Sequence, residues 1–167
     1  MRLLLALCTV AVMGNASACD EDSAPVFSCQ AADGRKFIEL CSSTPVRESG
    51  SMQYRFGSLD KEGREKTVEL VYPTAKPGSM KQFFGATYTH KGVYTQSIRF
   101  ASGQYSYTVF TSARGNQDEG AGVEVRNLGT GKVTTVSCSE RPRFYIFEFT
   151  GKLQCDTETP VGKACIK

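Results

Sequence analysis

Apolar residues in this chain nowhere repeat every three to four positions over a long stretch. Short runs of β-branched and aromatic residues recur instead, separated by glycine-bearing turns. That pattern reads as all-β. The candidate strands are VFSCQ (26–30), KFIEL (36–40), QYRF (53–56), TVELVY (67–72), QFFGATY (82–88), YTQSIRFA (94–101), QYSYTVF (104–110), GVEVRN (122–127) and KVTTVSC (132–138). Their spacing predicts a single antiparallel β-sandwich or small barrel of about eight to nine strands.

Most connections are short enough for hairpins. Asp33-Gly34 is the strongest turn dipeptide, because a type I′ turn needs positive φ at both central residues and Asp and Gly tolerate it. THKG (89–92) and NLGTG (127–131) serve in the same way. Two longer connections, the charged GSLDKEGREK (57–66) and the glycine-rich TSARGNQDEGAG (111–122), read as solvated loops.

The first eighteen residues carry one charge at Arg2, an apolar run over 3–13, and small residues at Ala16 and Ala18. They read as an export signal with a cut after Ala18, too short to be a membrane span. No later segment approaches the roughly 20 apolar residues a spanning helix needs. Cys8 departs with the signal and leaves Cys19, Cys29, Cys41, Cys138, Cys155 and Cys165. An even number in an oxidising compartment predicts three disulfides and a periplasmic or secreted protein. Cys155–Cys165 is the favoured bond, since Pro160 and Gly162 turn the chain between them. Cys19, first after the cut, is alternatively a lipid-attachment site that would anchor a lipoprotein. Residues 16–18 lack the Leu usual before such a site, and lipidation would strand one of the five other thiols.

Residues 19–138 form the antiparallel β domain, and 139–167 an irregular, disulfide-tied extension of it. Phe144, Tyr145, Phe147 and Phe149 in that tail read as cover for a core face, and the tail itself as protection for a sheet edge.

A two-residue turn at Ser102-Gly103 sets Phe100 opposite Tyr105 and Ile98 opposite Tyr107. Ile98, Phe100, Tyr105, Tyr107 and Val109 then share one face, and Arg99, Ala101, Gln104, Ser106 and Thr108 the other. The same reasoning at Asp33-Gly34 puts Cys29 opposite Ile38 and separates Cys29 from Cys41. Either a bulge shifts that register or Cys41 lies beyond the strand end.

The formal charge is +3, and about +2 without Arg2, with no block of five like charges; Asp20-Glu21-Asp22 is the densest acidic run. This balance does not suggest nucleic-acid binding. His90 is the only histidine, and no metal or phosphate-loop motif is present. Asp118 and Glu119, adjacent and without a partner carboxylate, read as solvated charges rather than half of a glycosidase pair. No acid–base constellation supports an enzyme, a cofactor or a metal site.

Phe27-Ser28-Cys29 with Leu40-Cys41, the Tyr-Arg-Phe-Gly run over 54–57, and the hairpin RFASGQYSYTVF over 99–110 resemble exported β-rich proteins of Gram-negative bacteria, many of them uncharacterised. Ser102, Gly103 and Tyr105 also resemble the Ser-Gly-x-x-Tyr loop of the periplasmic lysozyme inhibitors, with one residue fewer before the tyrosine. The resemblance implies a binding protein that inhibits a lysozyme or another peptidoglycan hydrolase through a β-hairpin loop. The alternative is a non-inhibitory envelope interaction or structural protein. In the inhibitor reading Ser102 donates a hydrogen bond and Gly103 allows close backbone approach. Tyr105 supports the tip, and Arg99 and Lys91 pair with catalytic carboxylates where neighbouring hairpins bring them near.

Overall fold

The computed structural model describes residues 19–167; the predicted export signal lies outside the described residues. The all-β expectation holds. Among the described residues eleven strands form: β1 (Ser23–Gln30), β2 (Lys36–Ser43), β3 (Met52–Leu59), β4 (Glu65–Tyr72), β5 (Phe84–His90), β6 (Val93–Ser102), β7 (Tyr105–Arg114), β8 (Gln117–Asn127), β9 (Val133–Ser137), β10 (Gln154–Thr159) and β11 (Gly162–Ala164). Short 3-10 turns occur at Ser79–Gln82 and Ile146–Phe149. Strands β1 to β4 make a four-stranded antiparallel sheet in sequence order. The second sheet has seven strands in the order β11-β10-β5-β6-β7-β8-β9.

Period-two alternation turns one face of each sheet inward. Phe27, Leu40 and Tyr54 stand in one cross-strand row of the first sheet, and Ile98, Val109 and Val123 in a row of the second. All six are buried. Met80, Phe83, Ile146 and Phe149, from the connections, complete this core.

The tail departs from the irregular extension predicted for it. Strands β10 and β11 join the seven-stranded sheet, and β10 lies parallel to β5, so the fold is not wholly antiparallel. The stretch QCDTET has little apolar alternation, and its pairing is set by a distant strand rather than by its own pattern. Earlier in the tail, Cys138 and Phe144 bridge to Ala31 and Phe27, so residues 138–145 cover the free edge of β1 as expected of the tail. Among the four tail aromatics, Phe144 packs edge-on against Phe27 at 5.4 Å and Phe149 is buried, whereas Tyr145 and Phe147 point to solvent.

Neither long connection is a loop. Residues 111–122 belong to the β7–β8 hairpin, which turns at Gly115-Asn116 between Arg114 and Gln117. Glycine has a structural task there: a Cβ on Gly122 would sit 2.2 Å from the Val136 carbonyl oxygen, so only glycine lets β9 approach. Residues 57–66 form the β3–β4 hairpin, closed by Asp60, whose Oδ1 accepts from the backbone N–H groups of Glu62 and Arg64. The Arg64 N–H, followed by the Arg64 guanidinium, holds the Asp60 carboxyl below its ordinary range.

Three disulfides staple the fold: Cys19–Cys41, Cys29–Cys138 and Cys155–Cys165. Cys29 stands opposite Ile38 as its turn predicts, and a register shift between Pro25 and Phe27 accompanies the other end of that hairpin. The Cys19 sulfur is bonded to Cys41, which leaves it no valence for a lipid thioether in this form.

Candidate functional site at one end of the seven-stranded sheet

The β6–β7 hairpin turns one residue later than predicted. Ser102 pairs with Tyr105, so Gly103 and Gln104 form the turn, and Phe100 faces Tyr107 rather than Tyr105. The register moves by two positions. An even shift preserves faces, so the expected grouping of Ile98, Phe100, Tyr105, Tyr107 and Val109 survives. Gly103 has φ 58°, and a Cβ there would meet nothing within 4 Å. The turn therefore projects freely.

It does not project alone. The Leu128 N–H donates to the Gln104 carbonyl at 2.9 Å and ties this tip to the β8–β9 turn. That second turn is closed by Asn127, whose Oδ1 accepts from the N–H groups of Gly129 and Thr130 at 3.0 and 2.9 Å. Asn127 also donates its own N–H to Lys132 and accepts from Gly131. Two internally bonded turns, bonded to each other, make a stiff protrusion. Tyr105 is 43% exposed and Leu128 51% exposed upon it.

Behind the protrusion runs an aromatic series. Tyr105 lies 6.4 Å from Tyr107, Tyr107 stacks on Phe100 at 4.9 Å, and Phe100 stacks on Tyr72 of the opposite sheet at 4.7 Å. The Tyr72 hydroxyl donates to Gln82 Oε1 at 3.1 Å. Burial, and secondarily Tyr105, push the Tyr107 hydroxyl upward in pKa. Burial and then Tyr107 do the same more strongly to Tyr54.

The two cations expected near Ser102 are elsewhere. Arg99 sits on the opposite face of β6, almost fully buried, with its Nε 2.9 Å from both Asp156 oxygens and its Nη1 3.2 Å from Glu158. Its guanidinium also lies 4.8 Å from the Phe84 ring centre. Lys91 occupies the β5–β6 turn at the far end of β6, about 30 Å away along ten residues of strand. Its backbone carbonyl accepts from Arg114 at 3.0 Å. Thus Ser102, Gly103 and Tyr105 come together, and Arg99 and Lys91 do not join them. The missed members are Leu128 and Asn127. An apolar residue inside an otherwise polar NLGTG turn was the available signal.

His90 pairs with Val93 beside the Lys91 turn. Asp118 and Glu119 are ion-paired with Arg141 and Arg114 and line a shallow hollow of about 220 Å³ with Cys138 and Glu140. A neighbouring hollow of about 230 Å³ is lined by Ser28, Gln30 and Pro142. Both fall below the roughly 300–1,000 Å³ of small-molecule pockets. Glu39 lies beside the sulfurs of Cys19 and Cys41, but those sulfurs are bonded to each other and offer no thiolate. No family model, curated protein or solved structure matches the chain.

Proposed function

We propose that this is an exported binding protein that blocks a cell-wall hydrolase, a lysozyme foremost, by inserting the joined β6–β7 and β8–β9 turns into the substrate groove. One observation carries the reading: the Leu128–Gln104 hydrogen bond joins two hairpin tips into a single element bearing exposed Tyr105 and Leu128. A rigid protrusion loses little conformational freedom on entering a groove, and apolar anchors with free backbone groups suit a cleft built to hold a polymer. Three disulfides accord with export, and among the described residues no helix is long and apolar enough to cross a membrane.

Segments 102–105 and 127–131 contain no charged residue, so recognition rests on Ser102, backbone groups and the two side chains. Binding is therefore expected to depend little on salt, with association unassisted by long-range steering. The test is titration of several lysozymes and other peptidoglycan hydrolases with the disulfide-bonded protein. Stoichiometric loss of turnover is expected with at least one. Lengthening the turn by polar residues between Gly103 and Gln104 should abolish the effect. Undiminished turnover across the set favours the non-inhibitory envelope role.

A further inference from the structure

Edge strands present unpaired N–H and C=O groups, and this molecule protects three of its four sheet edges. The β1 edge is covered by residues 138–145. The β4 edge carries Glu65, Lys66 and Glu69, with two register shifts in its pairing to β3. The β11 edge has three residues, one of them Lys163. The β9 edge, VTTVS, has no charge, no proline and an unbroken register with β8.

The phase of that edge follows from its flanking bonds. Cys138 donates to the Ala121 carbonyl, and the Lys132 carbonyl accepts from Asn127, so even-numbered residues from 132 to 138 turn their backbone groups toward β8. Val133, Thr135 and Ser137 turn theirs outward. The Ser137 carbonyl is taken by the Ala32 N–H, which closes that end. Among the described residues, both backbone groups of Val133 and of Thr135 remain without a partner, and both residues are exposed.

We propose that this edge joins two copies of the chain, pairing β9 antiparallel with β9 of a second copy about a two-fold axis at Thr134. Val133 then exchanges both backbone hydrogen bonds with Thr135 of the second copy, and Thr135 with Val133 of the second copy. All four outward groups of Val133 and Thr135 are then used once. A second copy fits because the open run is short and its hydrogen-bonding phase is self-complementary under this axis. The charges behind it agree: Arg126 is paired with Val133 and Glu124 with Thr135, so one cross-strand row runs Arg126, Val133, then Thr135 and Glu124 of the second copy. Opposite signs flank the junction. The seven-stranded sheets become continuous.

So short a junction is weak, and sedimentation velocity on the disulfide-bonded protein should show monomer at about 10 µM and substantial dimer at about 1 mM. Thr135→Pro deletes an N–H that points away from β8, so it leaves the internal ladder whole and should give monomer throughout. Should that variant fail to fold, Val133→Glu sits beside its own Arg126 and sets a like charge in the row of the second copy's Glu124 without altering the backbone, and should likewise give monomer. Leu128→Ser should dimerise like the parent. A parent protein that stays monomeric at the highest concentration overturns the proposal. So does a dimer that survives the edge substitutions or disappears with Leu128→Ser.

Discussion

The two faces of the β6–β7 hairpin hold the molecule together by different physics. On the inner face, Phe100 is clamped between Tyr107 and Tyr72 and touches Tyr54 at 5.0 Å and Phe83 at 5.4 Å. On the outer face, one residue earlier, Arg99 is clamped between Phe84 and the carboxylates of Asp156 and Glu158. The inner contact joins two sheets by dispersion and burial, which add over many small terms. The outer contact fixes one strand of the tail, β10, through a charge pair whose attraction is offset by desolvation. Adjacent residues thus do unlike work: one makes the core, and the other orients its C-terminal cover.

The largest effects separate these mechanisms. Phe100→Ala should cost about 3–5 kcal/mol, because the surrounding rings cannot close the cavity. Arg99→Met should cost a similar amount, about 3–5 kcal/mol, by stranding the buried Asp156 carboxylate. The two losses differ in how they are repaired. Adding Asp156→Asn to Arg99→Met removes the stranded charge while keeping an acceptor for the Glu158 N–H, now 2.9 Å from Asp156 Oδ1, and should recover most of the loss. Urea melts of the single and double variants check this. If Arg99→Met is no better with Asp156→Asn than without it, Arg99 acts by packing on Phe84 and the contrast between the faces fails.

Alkali probes the inner face through Tyr54 and Tyr107. Burial raises the Tyr54 hydroxyl above its ordinary value near 10, and Tyr107 follows for the same cause. Above about pH 10 the unfolded chain releases these protons first, so it binds fewer protons than the native state and stability falls as pH rises. Below the unfolded value the contribution is complete. Tyr54→Phe should flatten the decline between about pH 10 and 11.5, measured by thermal melts across that range. A decline of unchanged slope would move its origin to Tyr107, or to Tyr88 on the outer face, both of which burial also raises, and Tyr107→Phe tells the two apart.

The same two faces mark what was legible in the sequence. Alternation in IRFASGQYSYTVF sorted the hairpin's sides correctly even though the turn sits one residue later, because an even register shift leaves faces unchanged. The Cys155–Cys165 bond was legible because it is local. The position of Arg99 was not. Its partner Asp156 is 57 residues away and reaches it only through the parallel pairing of β10 with β5, which no local pattern announces. Glycine-rich 111–122 was misread because glycine usually marks a loop, whereas Gly122 here permits close strand approach. The site suffered likewise: Ser102, Gly103 and Tyr105 share one turn and so were found together, but Leu128 joins them only through a backbone bond between separate hairpins.

The smallest effect on stability should fall at the outer end of the aromatic series, and it decides whether that end belongs to the core or to a partner. Tyr105 follows Tyr107 and Phe100 in line, yet it is 43% exposed and its ring lies 6.4 Å from Tyr107. Leu128 makes its tie to Gln104 through backbone alone, so shortening its side chain leaves that bond in place. Tyr105→Ser and Leu128→Ser should each change stability by no more than about 0.5 kcal/mol, a shift of one or two degrees in melting temperature. On the proposed function, each should nevertheless weaken hydrolase inhibition by at least about tenfold, as loss of an exposed anchor does at the centre of an interface. The two measurements must be read together. Were Tyr105→Ser to destabilise as Phe100→Ala does, the inner face would extend to the tip, and Tyr105 would be a packing residue with little left to offer a partner.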